Sequence, residues 1–166
     1  FLQAGFAAQP WIIGCAKLVP DSSKFYGWVK LKKSNDMFKS LFSKGTHTVI
    51  GQGFDLLGTR PFVKAQSGLP PTKQNNKTFA DLLTLKFTIL LSQLGITTRG
   101  FGELKLSLSG NPFDGMLVRE IASMGDSMMT YHDRFAGHAG AYPGLDSILC
   151  RLNSAFTAAM DTPHWA

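Results

Sequence analysis

Charge is scarce in this chain. Lys, Arg, Asp and Glu make up 17% of its 166 residues, where about a quarter is usual for a globular domain. Cysteine is scarcer still, with Cys15 and Cys150 far apart. Two thiols do not make a four-ligand metal centre without help from other side chains. They suit one disulfide or two buried free thiols, and their spacing leaves both open. There is no Walker A loop and no dinucleotide Gly-x-Gly-x-x-Gly; Gly100-Phe101-Gly102 lacks the third glycine. No apolar run reaches the roughly 20 residues that cross a bilayer. The opening 1-FLQAGFAAQPWIIGCAKLV-19 is apolar but is split by Pro10, and it lacks the basic start of an uncleaved signal peptide. A start at Phe1 fits a processed precursor or a piece of a longer chain. These absences leave no expected cofactor, no expected metal and no expected transmembrane segment.

What is present is apolar and unevenly charged. Hydrophobic residues make up 44% of the chain, too many for disorder. The net charge is +6. Residues 1–83 carry eleven Lys/Arg against four Asp/Glu, and residues 84–166 carry six against seven. A basic half attracts nucleic acid, an anionic membrane or an acidic glycan, or simply keeps one face solvated. Low charge with many Ser, Thr, Asn and Gly leans towards a secreted or assembled protein.

Periodicity divides the chain into an N-terminal arm, 1–45, and an α+β domain, 46–166. Residues 1–23 read as an irregular arm ending in the turn Pro20-Asp21-Ser22-Ser23. The stretch 24-KFYGWVKLKK-33 alternates as a strand, with Phe25, Gly27, Val29 and Leu31 on one side and Tyr26, Trp28, Lys30 and Lys32 on the other. Residues 34-SNDMFKSLFSKG-45 predict a short amphipathic helix with a Ser34 cap, an apolar face of Met37, Phe38, Leu41 and Phe42, and Gly45 as its stop. Then 46-THTVIGQGF-54 reads as a strand with His47 at the surface, and 66–77 as a loop. A capping box from Thr78 and Asp81 opens a helix that is apolar almost all round, with Lys86 its one internal charge. Such a helix belongs at the centre of a domain, and Gly95 ends it. Residues 103-ELKLSLSG-110 alternate as another strand. A helical stripe follows from Leu117, Ile121, Met124, Met128, Tyr131 and Phe135. Another follows from Leu145, Ile148, Leu149, Leu152, Phe156 and Ala159, with the Gly-rich connector 136–144 between them. The fold class is therefore α+β: three main helices in the C-terminal half, a few short strands, and a looser N-terminal arm.

Three readings of function compete. Gly125-Asp126-Ser127 opens the active site of one class of esterases, and 161-DTPHW-165 supplies the matching Asp-x-x-His. Ser127 would attack an ester carbonyl, His164 would take its proton, and Asp161 would orient the imidazole. The context opposes this. Ser127 falls in the middle of a periodic helix, where a serine usually bonds back to the carbonyl four residues earlier. The stretch to Asp161 is also too short for the strand–helix units that fold requires. His132 and His138 are six apart, whereas zinc pairs on a helix prefer four. Asn76-Lys77-Thr78 is a glycosylation sequon in a loop. The strongest binding feature is the basic cluster Lys24, Lys30, Lys32, Lys33, Lys39 and Lys44, interleaved with Phe25, Tyr26 and Trp28. Exposed aromatics among lysines suit single-stranded nucleic acid or another polyanion. The plainer reading puts the aromatics in the core and the lysines on a soluble edge.

A resemblance bears on the choice. The Leu-rich helix, Gly100-Phe101-Gly102-Glu103-Leu104, Asp114-Gly115-Met116 and Arg119-Glu120-Ile121 resemble an uncharacterised domain. That domain lies towards the C-terminal end of long secreted and cell-surface proteins of Bacteroidota and related bacteria. The resemblance covers residues 46–164. Leu117 stands where that pattern has Thr, so Asp114 is expected to cap the helix instead. The resemblance transfers no catalytic residues. It implies a non-catalytic, extracellular structural or interaction module, secreted or at the cell surface. The apolar arm would then dock on a neighbouring subunit or domain. This is the first reading; the Ser127 hydrolase and the Lys24–Lys44 polyanion binder are its alternatives.

Overall fold

A computed structural model describes residues 11–16, 24–136, 138 and 140–155. It is a mixed α and β structure, in keeping with the α+β expectation. Strand β1 (Trp11–Ile13) pairs antiparallel with β2 (Gly27–Leu31), and β2 pairs parallel with β5 (Lys64–Gln66), so β2 is the middle strand. A second, two-stranded sheet joins β3 (Leu56–Leu57) to β4 (Arg60–Pro61) through the Gly58-Thr59 turn. The described helices are α1 (Ser34–Phe42), α2 (Lys77–Gln93), α3 (Val118–Thr130), α4 (His132–Ala136) and α5 (Ala141–Ser154), with a 3-10 turn at Phe101–Glu103.

The alternation read in β2 holds for the strand itself. Gly27, Val29 and Leu31 are buried, whereas Trp28 and Lys30 are half-exposed. Phe25, assigned to the buried side, lies just before the strand and is 70% exposed. Gly27 has a steric reason: a Cβ there would sit 2.3 Å from the Phe62 ring. That ring stacks on Phe54 at 4.6 Å, and Phe54 in turn meets Phe79 of α2.

Helix α2 occupies the centre, as its all-round apolarity predicts. Phe79, Leu82, Leu83 and Leu85 are fully buried, and α3, α5, β1 and the 3-10 turn pack around it. Lys77 at its start pairs with Asp81 at 2.5 Å and with Asp146 of α5 at 3.3 Å, tying the two helices together. The core also crosses the boundary drawn at residue 45. Ile13, Val29 and Leu31 belong to the same buried cluster as α2, α3 and α5.

Several expectations are corrected. Residues 46–54 form no strand: Val49 and Ile50 are exposed, and only His47, Gly53 and Phe54 are buried. Residues 103–110 form no strand either, apart from a single bridge from Lys105 to Leu117. Alternation in sequence needs a neighbouring strand to pair with, and here the only partner is the loop before α3. The Thr78 cap is replaced by Asn76, whose side chain accepts from the Phe79 N–H at 3.0 Å. The Asp114 cap is replaced by the Glu120 carboxylate, which accepts from the Leu117 N–H at 2.9 Å. Asp114 instead accepts from the Leu108 N–H. The long Leu117–Phe135 stripe breaks at Tyr131 into α3 and α4, and Met124 faces outward. Phe156 and Ala159 lie outside the described residues.

Helix α1 departs furthest from its pattern. Lys33, not Ser34, is its N-cap, with no side-chain cap bond. The fully buried residue is Ser40, whose hydroxyl donates to the Asp36 carbonyl and accepts from the Leu69 N–H. Met37 and Leu41 are half-buried, but Phe38 and Phe42 are about 60% exposed. The side of the helix that packs inward carries Met37, Ser40 and Leu41, smaller side chains than the two Phe left outside.

Candidate functional site

The Gly125-Asp126-Ser127 triplet lies inside α3, and each of its members has a structural task. Gly125 is buried against Leu82, where a Cβ would come within 2.9 Å of the Leu82 side chain. The Asp126 carboxylate receives Lys86 Nζ at 2.5 Å on one oxygen and the Gly14 N–H at 2.7 Å on the other. Burial pushes its carboxyl above the usual range, and Lys86 opposes that rise. Lys86 also donates to the Ile12 carbonyl at 2.6 Å. One turn further on, Thr130 Oγ1 accepts from the Cys15 N–H at 2.8 Å and donates to the Gly27 carbonyl at 3.1 Å. Segment 12–15 is therefore latched to two helices and to β2 through its own backbone groups, which satisfies groups that a three-residue edge strand would otherwise leave bare.

Ser127 donates to the Ser123 carbonyl at 3.2 Å, the back-bonding expected of a mid-helix serine. Its other neighbour is Cys15 Sγ at 3.9 Å. Burial pushes the Cys15 thiol up, away from the reactive thiolate. Asp161 and His164, the other members of the esterase set, lie outside the described residues. His132 lies against Tyr26, with ring centroids 6.2 Å apart. Among the described residues, no group of three or more His, Cys, Asp or Glu could hold a metal ion, and no helix is long and apolar enough to cross a membrane. Cys15 and Cys150 are both free thiols, Cys150 being exposed. Of the arm that was expected to reach a partner, residues 11–16 pack into the chain's own structure. Residues 1–10 and 17–23 lie outside the described residues.

The basic face divides differently from its sequence pattern. Tyr26 and Trp28 are half-buried, and the Tyr26 ring is not free for stacking. Tyr26 meets Tyr131 edge-on at 5.1 Å and donates its hydroxyl to Asp133 at 2.9 Å, while Trp28 Cβ lies against Gly14. Arg134 closes the same corner over the Tyr131 ring at 4.4 Å. Lys30 is half-exposed, whereas Lys24, Lys32, Lys33, Lys39 and Lys44 are exposed. Among the described residues, no ion pair involves Lys32, Lys33, Lys39 or Lys44. The exposed rings are Phe25, Phe38 and Phe42, and the last two lie together on one helix, centroids 5.5 Å apart and tilted by 49°. Their Phe-x-x-x-Phe spacing was visible in the sequence, but it was read as the inward face.

His47, expected at the surface, is buried. Its Nδ1 accepts from the Asn76 N–H at 2.9 Å, so Nε2 carries the proton and donates to the Ser40 carbonyl at 2.7 Å. Burial pulls its pKa below the ordinary value of 6.5. The network runs on through Asn76 to Gln74, which donates to the Leu56 carbonyl at 2.7 Å. It supports the irregular segments 46–55 and 67–76, which form no strands. No protein-family model matches the chain, and neither a curated protein nor a solved structure matches it.

Proposed function

We propose that the protein is a non-catalytic interaction module of a secreted or cell-surface assembly, binding through its basic N-terminal face. The carrying observation is α1, which turns Phe38 and Phe42 to solvent and buries Ser40. Exposing two Phe side chains forgoes roughly 1 kcal/mol or more each, compared with burying them. A folded chain sustains such a face where a partner covers it. The engagement of Asp126 by Lys86 and Gly14, and of Ser127 by Ser123, gives the Gly-Asp-Ser triplet a structural explanation and supports the same reading.

The test has two arms run on the same preparation. Fluorophosphonate labelling is expected to leave Ser127 unmodified, and binding to immobilised polyanion or anionic vesicles is expected to weaken steeply with salt. Labelling that disappears in Ser127→Ala would overturn the module reading in favour of the hydrolase.

A further inference from the structure

We propose that the surface received by α1 is an anionic lipid bilayer, on which the helix lies flat with Phe38 and Phe42 in the headgroup boundary. The inference rests on the reading of the protein as a binding module and names its partner.

Four observations carry it. The outward residues of α1 are Asn35, Phe38, Lys39 and Phe42, at steps of three, one and three, so they form one face of one helix. Lys32 and Lys33 stand at the N-terminal end of that face, and Lys44 stands two residues beyond its C-terminal end. The helix's one acid, Asp36, accepts from the Lys32 N–H at 3.1 Å and is half-buried. The face therefore pairs two unburied aromatic rings with four lysines that have no ion-pair partner among the described residues. That is the composition of a helix that lies in the interface plane: rings enter the acyl boundary while flanking lysines keep their ammonium groups at the anionic headgroups.

Other occupants fit less well. A second copy would bring lysines against lysines, with no outward acid on α1 to offset them. Nucleic acid would reward the lysines, but it desolvates rings only by stacking bases on them. Two rings tilted by 49° on a convex helical ridge do not present parallel platforms for successive bases. A peptide strand needs an unpaired sheet edge, whereas the ridge of a helix has its backbone groups already bonded.

The experiment is co-sedimentation with vesicles of phosphatidylcholine and phosphatidylserine in equal parts, against phosphatidylcholine alone, at low and high salt. Binding is expected on the mixed vesicles only, weakening as salt rises. Replacing Phe38 and Phe42 together by Ala should lower the partition coefficient by about tenfold per ring. Each of Lys32→Ser, Lys33→Ser, Lys39→Ser and Lys44→Ser should lower it by about fivefold. These positions are exposed, so the variants should fold, which circular dichroism checks. Leu104→Ser, exposed elsewhere on the molecule, is the control and should bind as the parent does. No binding to the mixed vesicles, or equal binding by the Phe38/Phe42 variant, overturns the lipid assignment. So does α1-dependent binding to a single-stranded oligonucleotide in place of vesicles, although that result leaves the module reading standing. Fluorophosphonate labelling at Ser127, or no salt-dependent binding to immobilised polyanion as well as to vesicles, removes the module reading itself, so the two failures are separable.

Discussion

Lys86 Nζ lies 2.5 Å from Asp126 Oδ2, and together these side chains hold the backbone of residues 12–14 through the Ile12 carbonyl and the Gly14 N–H. The charge in the middle of helix α2 thus has a defined task. Removing one partner of a largely buried pair strands the other. Lys86→Met or Asp126→Asn should therefore cost about 2–4 kcal/mol in urea unfolding. The double variant Lys86→Met with Asp126→Leu should recover part of that loss. Hydrogen exchange at the Gly14 amide should quicken in the double variant, because its acceptor, Asp126 Oδ1, is gone there.

Gly14 meets two constraints at once. Its φ of +93° lies in the left-handed region, and a Cβ would sit 2.5 Å from Thr130 Oγ1. Gly14→Ala should destabilise by about 2–4 kcal/mol, from backbone strain plus forced displacement of the Thr130 hydroxyl. Thermal unfolding measures it, and a wild-type melting temperature would rule out the packing described for β1.

His47 predicts a pH dependence. Its folded pKa lies below 6.5, because burial disfavours the charged ring. Below pH 6.5 the unfolded chain takes up a proton that the folded chain resists, so stability falls as pH falls from 6.5 towards the folded value and is flat above 6.5. The slope within that window is bounded by the one-proton limit of about 1.4 kcal/mol per pH unit. Asp81 and Asp126, whose carboxyls burial pushes up, act in the opposite sense. The comparison is therefore wild type against His47→Gln, which should lose the His47 component of the slope at a constant cost in stability.

Ser127→Ala should be nearly silent in stability, within about 0.5 kcal/mol, since the hydroxyl only back-bonds to Ser123 on a half-exposed face. A large loss would mean that the contact with Cys15 Sγ matters more than its 3.9 Å length suggests.

Much of the helical half was legible in the sequence. Helix α2 is apolar on all sides, and no placement but the centre buries that surface. The stripe of Leu145, Ile148 and Leu149 allows one inward face, and that face is buried in α5. Strand β2 was legible for a similar reason, since a strand's two faces leave Val29 and Leu31 no option but to share one side.

Other features needed the tertiary structure. Residues 46–54 read as a strand but pair with no strand, and 103–110 alternate but, local turns aside, exchange backbone hydrogen bonds only with 115–118, around a single bridge; period alone supplies no longer partner. Both faces of α1 carry apolar residues, so only packing against Leu69 could choose the one holding Ser40. The latch of Lys86, Asp126 and Thr130 on residues 12–15 joins positions 74 to 115 apart to a backbone that sequence cannot locate. Local pattern determined which segments are helical and which are apolar throughout. Long-range packing decided which polar groups are buried together and which aromatic rings remain in water, because hydrogen-bond partners and covered faces are properties of neighbours in space, not of neighbours in the chain.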